Sequence, residues 1–118
     1  MGDFSPEVRG LAGVAVVRLR GDLDGRADAA VTAAYAQAAA GAPKVIVLNF
    51  EEVGYINSTG IALIVGMLAQ ARGTATLVRA VGLGEHYRHI FEITRLADFM
   101  TFFTSEDEAV GHGTAAPA

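Results

Sequence analysis

Val45-Ile46-Val47-Leu48-Asn49-Phe50, then Asn57-Ser58-Thr59-Gly60, then Ile61-Ala62-Leu63-Ile64-Val65-Gly66-Met67-Leu68-Ala69 is the stretch that decides the fold. From Lys44 to Phe50 the run is nearly all apolar, the pattern of a strand buried on both faces of a parallel or mixed sheet. The third run predicts a helix from about Thr59 to Ala71, closed by Arg72-Gly73, a cation in the last turn and a terminating glycine. Ile61, Ile64, Val65 and Leu68 fall on one helical stripe, with Leu63 and Met67 adding apolar surface beside it. A helix this apolar is either covered by a neighbour or lends part of its surface to docking. Between strand and helix stand two hydroxyls. The first N–H groups of a helix have no intrahelical partners, so a hydroxyl there serves as a cap or as the edge of an anion site. Both readings are open for Ser58 and Thr59.

Working outward, Val8–Leu11 and Val14–Leu19, broken by Ala12-Gly13, predict an opening β-hairpin. Gly21-Asp22-Leu23-Asp24-Gly25 reads as a loop of turn formers. Asp28 to Ala40 predicts an alanine-rich helix stopped by Gly41 and Pro43. Thr74 to Val78 reads as a strand, Leu83 to Phe91 as a third helix, Phe99 to Thr104 as a last strand, and Glu106 to Val110 as a short terminal helix. Strands and helices in alternation with short joins imply an α/β fold with parallel neighbours and right-handed crossovers. One domain is expected over residues 8–110, with 1–7 and 111–118 as flexible termini.

The chain has 118 residues, 52% of them hydrophobic, a net charge of −4 and no cysteine. That is enough for one core, and it excludes disulfide and thiol chemistry. No apolar run reaches the roughly 20 residues that span a bilayer, because Gln70 and Arg72 close the longest. The acidic balance argues against nucleic acid as a direct ligand. Met1-Gly2-Asp3-Phe4-Ser5-Pro6 does not read as a secretory signal, so a cytoplasmic, membrane-free domain is expected, and the glycosylation sequon Asn57-Ser58-Thr59 is idle.

Other chemistry is thin. Arg20-Gly21-Asp22 is a chance triplet at a strand end. Gly82-Leu83-Gly84 lacks the third glycine and the acid of a dinucleotide site. Glu85, His86, His89 and Glu92 share helical spacing, but a metal needs ligands converging in three dimensions, and a solvated helix face is the expectation. No base is spaced to serve Ser58 as a nucleophile. The protein is expected to be non-enzymatic, with no catalytic residue, metal or cofactor.

The run from Lys44 to Leu68 resembles the bacterial anti-sigma factor antagonists and the STAS domain they typify. Gly21-Asp22-Leu23-Asp24 is similar to the family's Gly-acid-Leu-Asp turn, Phe91-Glu92-Ile93-Thr94-Arg95-Leu96 to its Phe-Glu-Leu-Thr-Gly-Leu segment, and Ser105-Glu106-Asp107-Glu108-Ala109 to its closing acidic helix. The likeness covers about residues 8–110 in order. It implies a mixed four- to five-stranded sheet flanked by about four helices, with the acceptor serine at the start of the second.

In that family the antagonist binds a serine kinase that doubles as anti-sigma factor, freeing the sigma factor. Phosphorylation by the kinase breaks the complex and a serine phosphatase restores it. By resemblance Ser58 is the phosphoacceptor, Asp24, Asn57, Ser58, Thr59 and Gly60 form the partner-binding set, and Gly60 allows close approach of the helix start. A monomer or weak dimer is expected. Two positions depart from the pattern: Asn57 stands where aspartate is usual, and Arg95 where glycine is frequent. An alternative is a sensor or scaffold module, binding a nucleotide or lipid over the Asp24 and Ser58 loops or self-associating, without phosphorylation.

Overall fold

The computed structural model describes residues 3–111. Strands β1 (Glu7–Leu11) and β2 (Val14–Leu23) lead through a 3-10 turn (Gly25–Ala27) into α1 (Asp28–Ala39). Then come β3 (Val45–Ile56), α2 (Ser58–Gly73), β4 (Leu77–Val81), α3 (Glu85–Ile93), a 3-10 turn (Leu96–Phe99), β5 (Thr101–Phe103) and α4 (Glu106–Gly111). The five strands form one sheet in sequence order, β1 antiparallel to β2 and every other pair parallel. The expected mixed α/β sheet with four helices is what the chain forms. The tail beyond Gly111, read as fraying, lies outside the described residues, as do Met1 and Gly2. Phe4 packs against the core and Ser5 N–H donates to Arg20 O at 2.9 Å.

Strand order equal to chain order, with right-handed crossovers, sends α1, α2 and α3 to one face of the sheet. Packing agrees. Ala15, Val17, Leu19, Ile46, Leu48 and Phe50 meet Val31 and Tyr35 of α1, Ile64 and Leu68 of α2, and Phe91 of α3. Phe91 lies edge-on to Phe50, centroids 6.4 Å apart, an arrangement worth about 0.5–1.5 kcal/mol beyond area burial. The alternate residues Val14, Val16, Val45, Val47 and Val81 face the other way and are covered by Ala109 of α4. A continuous apolar strand such as Val45–Phe50 is therefore buried on both sides.

The closing helix is fastened by an acid. Glu106, 9% exposed, accepts from Arg18 Nε and Nη2 at 2.9 and 2.8 Å, from Arg9 Nη2 at 2.9 Å, and from Asn49 Nδ2 at 2.9 Å. The Arg18 hydrogen bonds, aided by Asn49 and against the cost of burial, hold its carboxyl down at about 2. An unfolded chain protonates this group near 4.5, so acid favours unfolding: the stabilisation is whole above that pH and is lost as pH falls toward 2. At 1.36 kcal/mol per unit its ceiling is about 3 kcal/mol, lowered by water around the half-exposed arginines. Melting curves of Glu106→Gln should therefore lose less stability than the parent between those two pH values.

Several boundaries differ from the sequence reading. Gly21 to Leu23 is strand, not loop, and β3 continues six residues past Phe50 to Ile56. The register explains it: Arg18 pairs with Asn49 but Arg20 with Glu52, and Gly21 with Val53 but Asp22 with Tyr55. Two extra residues on β3 make bulges, which break the alternation that marks a strand. β4 is displaced from the expected 74–78 because Thr74 caps α2 and Ala75 turns the chain at φ 55°. Arg79, which ends the apolar run, is only 4% exposed inside the strand. α3 starts two residues late, capped by Gly84, and β5 shrinks to three residues after a 3-10 turn. Arg95, in the place of the frequent glycine, sits at φ 68°, the left-handed conformation that glycine adopts without cost.

Candidate partner-binding site

β2 and β3 end together, Leu23 opposite Ile56, and both run past β4, whose pairing with β3 stops at Asn49–Val81. This projecting ribbon carries the sequence-predicted residues at its tip. Asn57 is extended (φ −98°) and caps α2: its Oδ1 accepts from Gly60 N–H at 2.9 Å, and its carbonyl accepts from Ile61 N–H at 2.9 Å. An asparagine oxygen does this as an aspartate oxygen would, so the departure from the family pattern keeps the cap. With that role filled, Ser58 is free. Ser58 and Thr59 are exposed in the first turn, and neither hydroxyl is hydrogen-bonded among the described residues. Of the two readings open from sequence, the cap belongs to Asn57.

Gly60 explains how the helix reaches this place. A Cβ there would overlap Leu23 O and stand 2.7 Å from Leu23 C. Leu23 O also accepts from Asn57 N–H at 3.1 Å, so the start of α2 lies directly on the backbone end of β2. Asp24 follows at once. It caps the 3-10 turn by accepting from Arg26 N–H at 2.9 Å, and Arg26 Nη2 folds back onto its Oδ2 at 2.8 Å. Those bonds hold the Asp24 carboxyl below its ordinary range, and the guanidinium is raised in return, with Asp3 and Asp22 adding to the field. The turn touches α2 at Gly25, whose added Cβ would lie 3.7 Å from Thr59 Cγ2. Asp24, Asn57, Ser58, Thr59 and Gly60 thus share one end of the sheet, though the Asp24 carboxylate is committed to Arg26.

Three participants were not singled out from sequence: Leu23, Arg26 and Tyr87. Tyr87 Oη accepts from Ile56 N–H at 3.0 Å, tying α3 to the residue before the cap. No spacing rule links positions 31 apart, so only the folded chain reveals it. Tyr87→Phe strips this acceptor from a buried amide. Faster hydrogen exchange at Ile56 and a stability loss of about 1 kcal/mol are expected.

The outer face of α2 beyond Ser58 carries small and apolar side chains. The stripe that packs inward is Gly60, Ile64, Met67, Leu68 and Ala71, rotated from the one expected. Val65, read as core, is 42% exposed and lies on the outer face with Ser58, Ala62 and Ala69. Tyr55, paired with Asp22 in the projecting ribbon, is 53% exposed. His86 and His89 are exposed on α3. Among the described residues no helix is long and apolar enough to cross a membrane.

No curated protein sequence matches the chain. Solved structures do. An anti-sigma factor antagonist from Mycobacterium paratuberculosis superposes with TM-score 0.77 at 20% identity, over 92% of each chain. The anti-sigma factor antagonist SpoIIAA in its unphosphorylated form gives 0.76 at 23% identity, over 97% of this chain and 100% of that one; the phosphorylated Bacillus protein gives 0.67 at 25%, over 93% and 98%. A sulfate transporter family protein from Wolinella succinogenes gives 0.71 at 15%, over 86% and 85%. At such identities what is shared is the fold. The family model for the STAS domain matches residues 5–109, and with the sequence-ordered sheet and the Gly60 approach in place, the chain belongs to the STAS domain family.

Proposed function

We propose that the protein is an anti-sigma factor antagonist: a non-catalytic, cytoplasmic STAS domain that binds a serine-kinase anti-sigma factor, frees a sigma factor and is switched off by phosphate on Ser58. The observation that carries the reading is the free Ser58 hydroxyl. It is exposed and relieved of capping by Asn57, and it begins an outward apolar stripe through Ala62 and Val65. A kinase can reach such a hydroxyl, and a partner can bury such a stripe. Phosphate adds about −1.5 to −2 charges. The free N–H groups of the first turn accept that charge without unfolding, while a packed interface suffers repulsion and desolvation. Two structural neighbours are described as anti-sigma factor antagonists, and one of these, SpoIIAA, also has a structure in a phosphorylated form, which supports the same reading. A serine phosphatase would reset the switch.

The test is a kinase reaction with a serine kinase of the anti-sigma factor class, followed by mass spectrometry of the peptide spanning Asn57 to Gly60. Phosphate on Ser58, absent in Ser58→Ala and retained in Thr59→Ala, is the expected result. Phosphate on Thr59 alone moves the site by one residue, and phosphate on neither removes the switch.

A further inference from the structure

We propose a ligand site at the opposite end of the sheet: a cleft that takes a carboxylate with an apolar body. It opens between the last turn of α2, the start of β4 and the 3-10 turn before β5, with a volume of about 590 Å³. Small-molecule sites commonly span roughly 300–1,000 Å³. Its walls are Leu68, Leu77, Val78, Phe99 and Met100, and two of these, Leu77 and Phe99, are 55% and 46% exposed.

Charge says what enters. The chain has eight arginines. Arg9, Arg18, Arg20, Arg26, Arg88 and Arg95 each pair with a carboxylate. Arg72 and Arg79 do not, among the described residues, and both line this cleft. Arg79 is 4% exposed; its Nη1 donates to Ala109 O at 2.7 Å and its Cζ lies 5.2 Å from the Phe103 ring centroid. Arg72 stands 5.3 Å over Phe99. A buried guanidinium without an anion is costly, and such groups are ordinarily paired. No wholly buried side-chain nitrogen lacks a hydrogen bond among the described residues, so the donors of Arg79 not used by Ala109 are not sealed from solvent, and Arg79 is among the residues that line the cleft. Asp98, the acid on the rim, is bound to Arg95 at 2.7 Å. The other clefts offer less. The one between β1 and the end of α1 has no charged lining, and the arginine in the one beside α4 is taken by Glu106. An anion flanked by apolar walls matches a carboxylate on a hydrocarbon body, held by the charge-assisted bonds that arginine makes with carboxylates.

The proposal does not rest on Ser58, which lies at the other end of the parallel strands. The experiment titrates the full chain with sodium decanoate, and separately with uncharged decanol, followed by amide NMR shifts and thermal melting. Saturable shifts at Val78, Arg79 and Thr101 with a raised melting temperature are expected, decanol binding at least about tenfold more weakly. Arg79→Met should remove that preference for the acid while leaving decanol unchanged; Arg72→Met is the second variant should the first fail to fold. Equal affinity for decanol, no saturable binding, or shifts centred on Ser58 would overturn the assignment.

Discussion

Gly60→Ala should destabilise the protein by about 3 kcal/mol or more, the upper range for forcing an atom into a packed site. One methyl suffices because its neighbour cannot yield. The added carbon meets Leu23 O and C, backbone atoms fixed at the end of β2 by the Asn57 N–H and by pairing with β3. Side chains can change rotamer to relieve crowding; this carbonyl can move only if the strand or helix does. Gly66→Ala is the control on the same helix. Nothing lies within 4 Å of its Cβ position, and the exchange should raise stability by about 0.8–1 kcal/mol through helix propensity alone. Urea unfolding of the two variants reads the contrast. A Gly60→Ala protein as stable as its parent would show that α2 need not start against Leu23.

Ser58→Asp should separate binding from folding. An acid in the first turn of α2 is favourable by about 0.3–1 kcal/mol, so the melting temperature should hold or rise slightly. Affinity for the kinase should nevertheless fall by about 1–3 kcal/mol, through a charge in a desolvated interface. Calorimetric titration of parent, Ser58→Ala and Ser58→Asp distinguishes the cases: Ser58→Ala binds like the parent, Ser58→Asp does not. Equal affinity for all three would place Ser58 outside the interface.

The sequence revealed most where periodicity and capping operate locally. Val45–Phe50 announced a strand buried on both faces, and Arg72-Gly73 marked the end of α2, because short-range rules govern both. It failed where tertiary pairing overrides pattern. The ribbon from Glu51 to Ile56 hides behind two bulges that destroy alternation, and Val65 was assigned inward because both faces of α2 are apolar. Arg79 looked like a strand terminus since a cation rarely belongs inside a sheet, yet Phe103 and the Ala109 carbonyl receive it. At the site, Asn57 to Gly60 were legible as one helix start. The Tyr87 hydroxyl and the Asp24–Arg26 clasp were not, because contacts between distant segments, or the choice of a side chain's partner, leave no spacing to read.

Phosphate on Ser58 as a switch of binding is tested most directly by one measurement on the assembled complex. The purified protein and the kinase proposed as its partner are mixed, magnesium-ATP is added, and the mass of the complex is followed by light scattering. The parent complex should dissociate as Ser58 becomes phosphorylated, while the Ser58→Ala complex stays whole under the same ATP. Persistence of the parent complex with Ser58 fully phosphorylated would contradict the switch.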